Sequence, residues 1–147
     1  MAASIAECVD RADLQAALEL LEGLSPEAAR SALLEYAFST GSIVAYAIAQ
    51  GMVTRRNDWA SHYLASEIMA AALNHIEGAY VVALFHARQA LDLNQSDIKL
   101  WEYLLLFHAI PERLVSDEEA VVIAGRILAD KPESSVAQMA IRRARQQ

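Results

Sequence analysis

The sequence predicts an all-α fold, and three observations support this prediction. Its 29 alanines and 18 leucines fill almost a third of the 147 positions, whereas threonine occurs twice and proline three times. This composition favours helices over strands. Helix-start signals recur along the whole chain, and the loops between them are regularly spaced. With 55% hydrophobic residues, the chain is long enough to bury a core of its own as one domain, residues 1–147.

The helix boundaries follow from capping residues and helix breakers. Ser25-Pro26-Glu27 combines a capping hydroxyl, a proline at the first helical position and an acid in the first turn. Ser116 is followed by Glu119, the spacing of a capping box. Gly51 is expected to end a helix. About eight helices are predicted, over 4–21 (a short first segment that an amphipathic run over 13–21 continues), 26–39, 42–51, 58–73, 78–93, 97–109, 117–129 and from 134 or 135 onward.

The spacing of these helices indicates a repeated arrangement. Loops lie near positions 25, 57, 96 and 134, and each interval between them holds two predicted helices. Helical hairpins of roughly 34 to 47 residues are the units of solenoid repeats. The sequence therefore predicts three stacked antiparallel αα-hairpins with N-terminal and C-terminal flanking helices.

Two segments at the second helix of a hairpin share a pattern. Residues 83–94 read AxxxAxxALDLN, and residues 120–132 read AxxxAxxILADKP. Both resemble the second helix of a tetratricopeptide repeat, with Pro132 at the proline usual for that repeat. Gln95 and Ile127 depart from the family pattern, and the first-helix motif is absent. The resemblance implies divergent, repeat-like packing of the helices.

Two further segments carry a second resemblance. They are HIEGAY with HARQAL at 75–80 and 86–91, and WEYLLLF with IPE and EEA at 101–107, 110–112 and 118–120. Together they resemble small bacterial helical proteins of unassigned role, some of the size expected for immunity proteins. No functional residue follows from this resemblance. The groove expected of stacked hairpins and the absence of a catalytic set predict a non-catalytic protein-binding module. A cytosolic inhibitor of a basic toxin, or an adaptor, fits the small size and acidity of the chain.

The charge balance bears on the partner. The chain carries 19 acidic and 12 basic side chains, a net charge of −7. An acidic domain repels phosphate backbones, so we expect no nucleic-acid partner. Complementary charge accelerates encounter, so the expected partner is a protein or peptide, with a basic one favoured.

Compartment and membrane signals point to the cytoplasm. The single cysteine, Cys8, fits a reducing compartment, and the N-terminus lacks the basic segment of a secretory signal. Residues 36–54 contain no charge, but polar residues at 39–42 interrupt the segment. The apolar part that remains is too short to cross a bilayer, so we expect two buried helices there and no membrane association.

The candidate binding residues lie on the fourth to sixth predicted helices. Trp59 follows Asp58 at a helix start, where a side chain is often partly exposed, and tryptophan and tyrosine are favoured anchors of protein interfaces. The residues predicted to contact a partner are Asp58, Trp59, His62, Tyr63, Glu67, Tyr80, His86 and Glu102. No catalytic motif or phosphate loop is present, so we expect neither enzymatic activity nor a cofactor.

Two alternatives remain open. Inward His62, His86 and His108, or Glu67 and Glu102, would form a metal, ligand or enzyme site if they converged in a cavity. A homodimer would form if Val136, Met139 and Ala140 of the last helix paired across a two-fold axis.

Overall fold

The structure is a computed structural model that describes residues 3–146, and it confirms the all-α fold class. Every regular element among these residues is helical, in ten α-helical segments and one π-helical turn. The chain divides into two compact units, Met1–Ala83 and Leu84–Gln147. The boundary between the units falls inside the helix Ala79–Leu93.

The first unit contains five complete helices and the start of a sixth. The helices are α1 (Ile5–Asp10), α2 (Leu14–Glu22), α3 (Pro26–Thr40), α4 (Val44–Arg56), α5 (Trp59–Glu67) and the first residues of α6 (Ala79–Leu93). A π-helical turn, Ile68–Ala72, continues α5. In this unit α4 packs against α2, α3 and α5, and α3 also contacts α1 and the π-helical turn.

The second unit contains the rest of α6 and four further helices. These are α7 (Ile98–Leu104), α8 (Leu106–Ala109), α9 (Asp117–Asp130) and α10 (Ser135–Arg145). Here α9 packs against both α7 and α10. The first and third predicted hairpins are therefore present as contacting helix pairs, α3 with α4 and α7 with α9.

Side-chain caps start most of the helices, as the sequence predicted. The oxygens of Ser4, Ser25, Asp58, Ser116 and Ser134 each accept a hydrogen bond from the backbone N–H three residues on. Each cap satisfies a donor that the first helical turn leaves without a partner. The helix expected to begin at residue 97 begins at Ile98, because the Asp97 side chain is its cap and accepts from the Lys99 N–H.

The expected helix end at Gly51 is wrong. Helix α4 continues through this residue to Arg56, and Asn57 ends it with a left-handed backbone, φ 43°. Gly51 faces Leu18 of α2, whose Cδ1 would lie 2.8 Å from a β-carbon at position 51. The glycine therefore serves close helix approach, which a sequence pattern cannot distinguish from a helix stop.

Two other expectations differ in detail. The N-terminal segment forms two separate helices, because Ala12 adopts a left-handed backbone, φ 57°, between them. The single helix expected over 97–109 is interrupted at Leu105, where hydrogen bonds from Leu105 N–H to Glu102 and from His108 N–H to Leu105 span only three residues. Such tighter bonds break the regular α-helical pattern.

The uncharged segment at 36–54 belongs to α3 and α4 and the turn that joins them. Gly41, with φ 61°, ends α3 by donating its N–H to the Ala37 carbonyl. Among the described residues, no helix combines the length and apolar character needed to cross a bilayer.

The contact at Gly51 gives a first prediction. Gly51→Ala should gain helix propensity of about 1 kcal/mol but press on Leu18, so its net effect on stability should be close to zero or unfavourable. In a Leu18→Ala background the same change should stabilise by about 1 kcal/mol relative to Leu18→Ala alone. Urea unfolding of the four proteins measures this coupling. Equal effects of Gly51→Ala in both backgrounds would contradict the close-approach explanation.

Candidate functional site

The first unit contains a cleft of about 320 Å³ that we regard as the candidate binding site. It lies where the end of α2, the start of α3, the end of α4 and the start of α5 meet. Its lining residues are Leu21, Glu22, Leu24, Pro26, Glu27, Ala29, Arg30, Met52, Arg55, Arg56, Asp58, Trp59, Ala60, Ser61 and Leu64. The cleft thus contains two of the predicted residues, Asp58 and Trp59.

The interior of the cleft is apolar. Leu21 and Leu64 are buried, and Leu24 is partly exposed. Trp59, at the first position of α5, retains 38% of its surface exposed although it lines the cleft. A large aromatic side chain that is partly covered by its own chain leaves apolar surface for a ligand to bury. Trp59 is therefore the side chain best placed to anchor one.

Charged side chains surround this apolar interior, and two of the arginines are in ion pairs. Arg55 Nη1 lies 2.6 Å from Glu22 Oε1, which links α4 to α2. Arg30 forms a two-point ion pair with Glu67, with Nε and Nη2 at 3.1 and 2.6 Å from the two carboxylate oxygens. These hydrogen bonds raise the pKa of Arg30. Both pairs connect helices that border the cleft, so they support its shape.

Asp58 has a structural task at the cleft edge. Its carboxylate caps α5 by accepting from the Ser61 N–H at 2.8 Å. Burial opposes its ionisation, but hydrogen bonds from the Ser61 hydroxyl and backbone and the charge of Arg56 outweigh burial and lower the pKa of Asp58. Asp58 therefore stays ionised, and its charge is already engaged with the start of α5.

His62 lies in the interior of the first unit, away from the cleft lining. It is 3% exposed, and its Nε2 lies 2.8 Å from Asn57 Oδ1, which places the Nε2 proton in that hydrogen bond. Burial lowers the pKa of His62. The structure thus gives this residue a role in holding the turn between α4 and α5, since a partner at the surface would not reach the ring.

The three remaining candidates of the first unit also lie outside the cleft. Tyr63 and Tyr80 are half-buried, and the Tyr80 hydroxyl accepts from the Asn74 side chain at 3.5 Å. Glu67 supports the cleft indirectly, because it holds Arg30. Glu67 is therefore a supporting residue, and neither tyrosine contributes to the lining.

The other two candidates belong to the second unit. His86 is fully buried with its ring edge-on to Phe85. Glu102 accepts from the Ser134 hydroxyl at 2.6 Å and lies 3.5 Å from Lys131 Nζ. These contacts tie α7 to the start of α10. The Glu102 side chain is thus used within its own unit, and a partner would not meet the buried His86 at the surface.

The histidines of the metal hypothesis have other partners. His108 is fully buried, with Nε2 at 2.7 Å from Asp117 Oδ1 and Nδ1 at 3.2 Å from Arg143 Nη1. Because arginine only donates, Nδ1 is the acceptor and the proton resides on Nε2. No group of three or more potential metal-ligating side chains converges within residues 3–146.

Two of the three residues of the homodimer hypothesis lie at the surface. Val136 and Met139 are exposed on α10, whereas Ala140 is fully buried within the chain. Ala140 is therefore unavailable to a second copy, because it already packs inside this one.

The arginines of the cleft are absent from the site residues predicted from the sequence. The first 83 residues contain four arginines, no lysine and ten acidic side chains. Three of these four, Arg30, Arg55 and Arg56, line the cleft. The rarity of positive charge in this part of the chain was the available signal, although it does not identify which helices meet.

Comparisons with protein-family models, curated proteins and solved structures gave no match.

His62 gives a pH prediction. Since its folded pKa lies below its unfolded value, the unfolded chain takes up the proton more readily, and stability falls as the pH drops through about 6.5. His62→Gln can keep the hydrogen bond to Asn57 but does not titrate. Between about pH 8 and about pH 5, the wild type should therefore lose more free energy of unfolding than this variant. Parallel losses in urea titrations would remove His62 as the cause.

His108 gives a stability prediction. His108→Leu removes the acceptor of Arg143 and one of the two donors to Asp117 Oδ1, which keeps Arg113 Nη1 at 3.0 Å. The loss should destabilise by about 1–3 kcal/mol. His108→Gln retains one donor and one acceptor and should cost less. Urea unfolding compares the two variants. If glutamine destabilises as much as leucine, the hydrogen bonds do not account for the contribution of His108.

Proposed function

We propose that this chain is a non-catalytic protein-binding module whose cleft in the first unit receives an apolar side chain of a protein partner. The observation that carries the proposal is the partly exposed Trp59 on the wall of an apolar cleft. Partly buried aromatic side chains at the edge of a pocket are typical energetic centres of protein interfaces.

Charge supports a basic partner. The first unit has ten acidic and four basic side chains, so its net charge is −6. Most of these acids lie outside the cleft lining. A field of this sign accelerates association with a basic protein and weakens as salt rises. An inhibitor of a basic toxin, or an adaptor, operating in the cytoplasm would use such a surface.

A second candidate is small-molecule binding in the same cleft. Its volume lies at the lower end of the range of ligand pockets, about 300–1,000 Å³. This candidate differs from the first in its ligand only. Its site is not the one predicted from inward histidines and glutamates, because neither His62 nor Glu67 lines the cleft.

Selection from a random-peptide library on the immobilised chain tests the proposal. We expect peptides to be enriched that share a large apolar residue. Trp59→Ala should weaken their binding by at least about fivefold, a loss of more than about 1 kcal/mol. Phe38→Ala is the matched control, because Phe38 is also an exposed aromatic residue of the first unit but lies outside the cleft lining.

The outcomes separate the two candidates. Enriched peptides whose affinity is unchanged in Trp59→Ala would show that the cleft is not the protein-binding site. A different pair of results would favour small-molecule binding. No peptide would be enriched, and a small apolar compound would shift the melting temperature of the wild type but not of Trp59→Ala.

A further inference from the structure

The turn between α4 and α5 positions much of the cleft lining. It consists of two residues, Asn57 and Asp58, and the lining residues Arg56 and Trp59 lie directly on either side of it. In all, six of the lining residues fall between positions 55 and 61. Because only two residues join the helices, a change in their backbone displaces the end of α4 or the start of α5. The lining of the cleft therefore depends on the conformation of this turn.

A buried histidine holds the turn in place. Asn57 has a left-handed backbone, with φ 43° and ψ 45°, which costs free energy for a residue other than glycine. Its side-chain Oδ1 accepts a hydrogen bond at 2.8 Å from Nε2 of His62, in the first turn of α5. Its N–H donates to the Val53 carbonyl at 2.7 Å. The bond to His62 reaches across the turn, so it fixes Asn57 relative to α5.

His62 is suited to this position only while its ring is neutral. The residue is 3% exposed, and burial lowers the pKa of His62, although the charge of Asp58 raises it in part. Acid adds the second proton at Nδ1, because Nε2 already donates to Asn57. A buried imidazolium is unfavourable unless other charges compensate it. Protonation therefore favours conformations in which the ring leaves its buried site for solvent.

The charges around α5 do not compensate this proton without a loss elsewhere. The ionisable groups on α5 and on the elements packed against it are Tyr46, Arg55, Arg56, Asp58, Tyr63, Glu67 and Tyr80. The arginines are positive, and tyrosine hydroxyls add no negative charge below about pH 8. Of the two acids, Asp58 already caps α5 and Glu67 is in an ion pair with Arg30. Either acid would have to give up that contact to balance a charge on His62.

We propose that His62 is a proton switch for the cleft. While neutral, the ring holds Asn57 and thereby keeps Arg56 and Trp59 in place. When protonated, the ring leaves the interior and the turn rearranges. The consequence for binding rests on the proposed function, because a ligand that needs the ordered cleft binds less tightly as the pH falls. The change in the turn itself requires no ligand, so it is measurable on the chain alone.

Fluorine NMR on the full chain labelled with 5-fluorotryptophan tests the switch without a ligand. Trp101→Phe assigns the Trp59 signal. From about pH 8 to about pH 5.5, we expect this signal to follow a one-proton titration with a midpoint below about 6.5. In His62→Gln the titration should be absent. His75→Gln is the matched control, because His75 is an exposed histidine of the same unit outside the cleft lining, and it should titrate as the wild type.

A direct titration of the imidazole tests the same switch without a variant. The resonance of the His62 Cε1 proton should have the same midpoint as the Trp59 signal. Asp58 does not contribute, because its pKa is lowered below this range. The helical circular dichroism should stay constant, since the change is local. A Trp59 signal that does not titrate, that titrates equally in His62→Gln, or whose midpoint differs from that of His62 would overturn the proposal, as would a loss of helix at the same midpoint.

A peptide enriched in the library selection measures the effect on binding. Its Kd should rise below the midpoint by at most about tenfold per pH unit, because one proton is involved. In His62→Gln the Kd should not show this rise. Equal pH dependence of the Kd in both proteins would overturn this inference and leave the proposed function standing. If no peptide is enriched, the proposed function fails, whereas the titration of the Trp59 signal still decides this inference.

Discussion

Close helix approach is the constraint on which the rest of the structure depends. Fifteen of the 35 buried hydrophobic residues among those described are alanines. In the first unit Gly51 of α4 lies directly against Leu18 of α2. One turn further along both helices, Arg55 meets Glu22, and these two residues begin the rim of the cleft. Small side chains thus allow α2 and α4 to approach each other. The cleft lies beside the ends of these helices, where larger side chains line it.

The charged side chains around the cleft determine which helix ends border its apolar interior. In a unit of net charge −6, three of the four arginines line the cleft. Two of them, Arg30 and Arg55, form ion pairs with acids on other helices. Exposed ion pairs contribute little to stability individually. Their effect here is positional, because each joins two helices that border the same apolar space. Trp59 remains partly exposed within this frame, and its apolar surface is the property that a ligand would use.

The sequence predicted the helices well because caps and breakers are local. Ser25, Ser116 and Ser134 begin helices where expected, since a capping bond spans only three residues. Gly51 was wrongly predicted to end a helix, because what requires a glycine there is the contact with Leu18 on another helix. Trp59 and Asp58 were identified because a helix start is a local signal. The cleft arginines were not identified, because the cleft forms only where several helices meet. His62 and His86 looked suitable by residue type, yet their burial depends on packing that no local pattern contains.

The most direct test of the cleft as the binding site is fluorine NMR on protein labelled with 5-fluorotryptophan. The chain has two tryptophans, and Trp101 is already engaged, with its Nε1–H donating to the Gln95 carbonyl and Arg126 over its ring. Trp101→Phe assigns the two signals. During titration with a library-selected peptide, we expect the Trp59 signal to shift and the Trp101 signal to stay unchanged. A bound peptide that shifts the Trp101 signal alone, or neither signal, would contradict it.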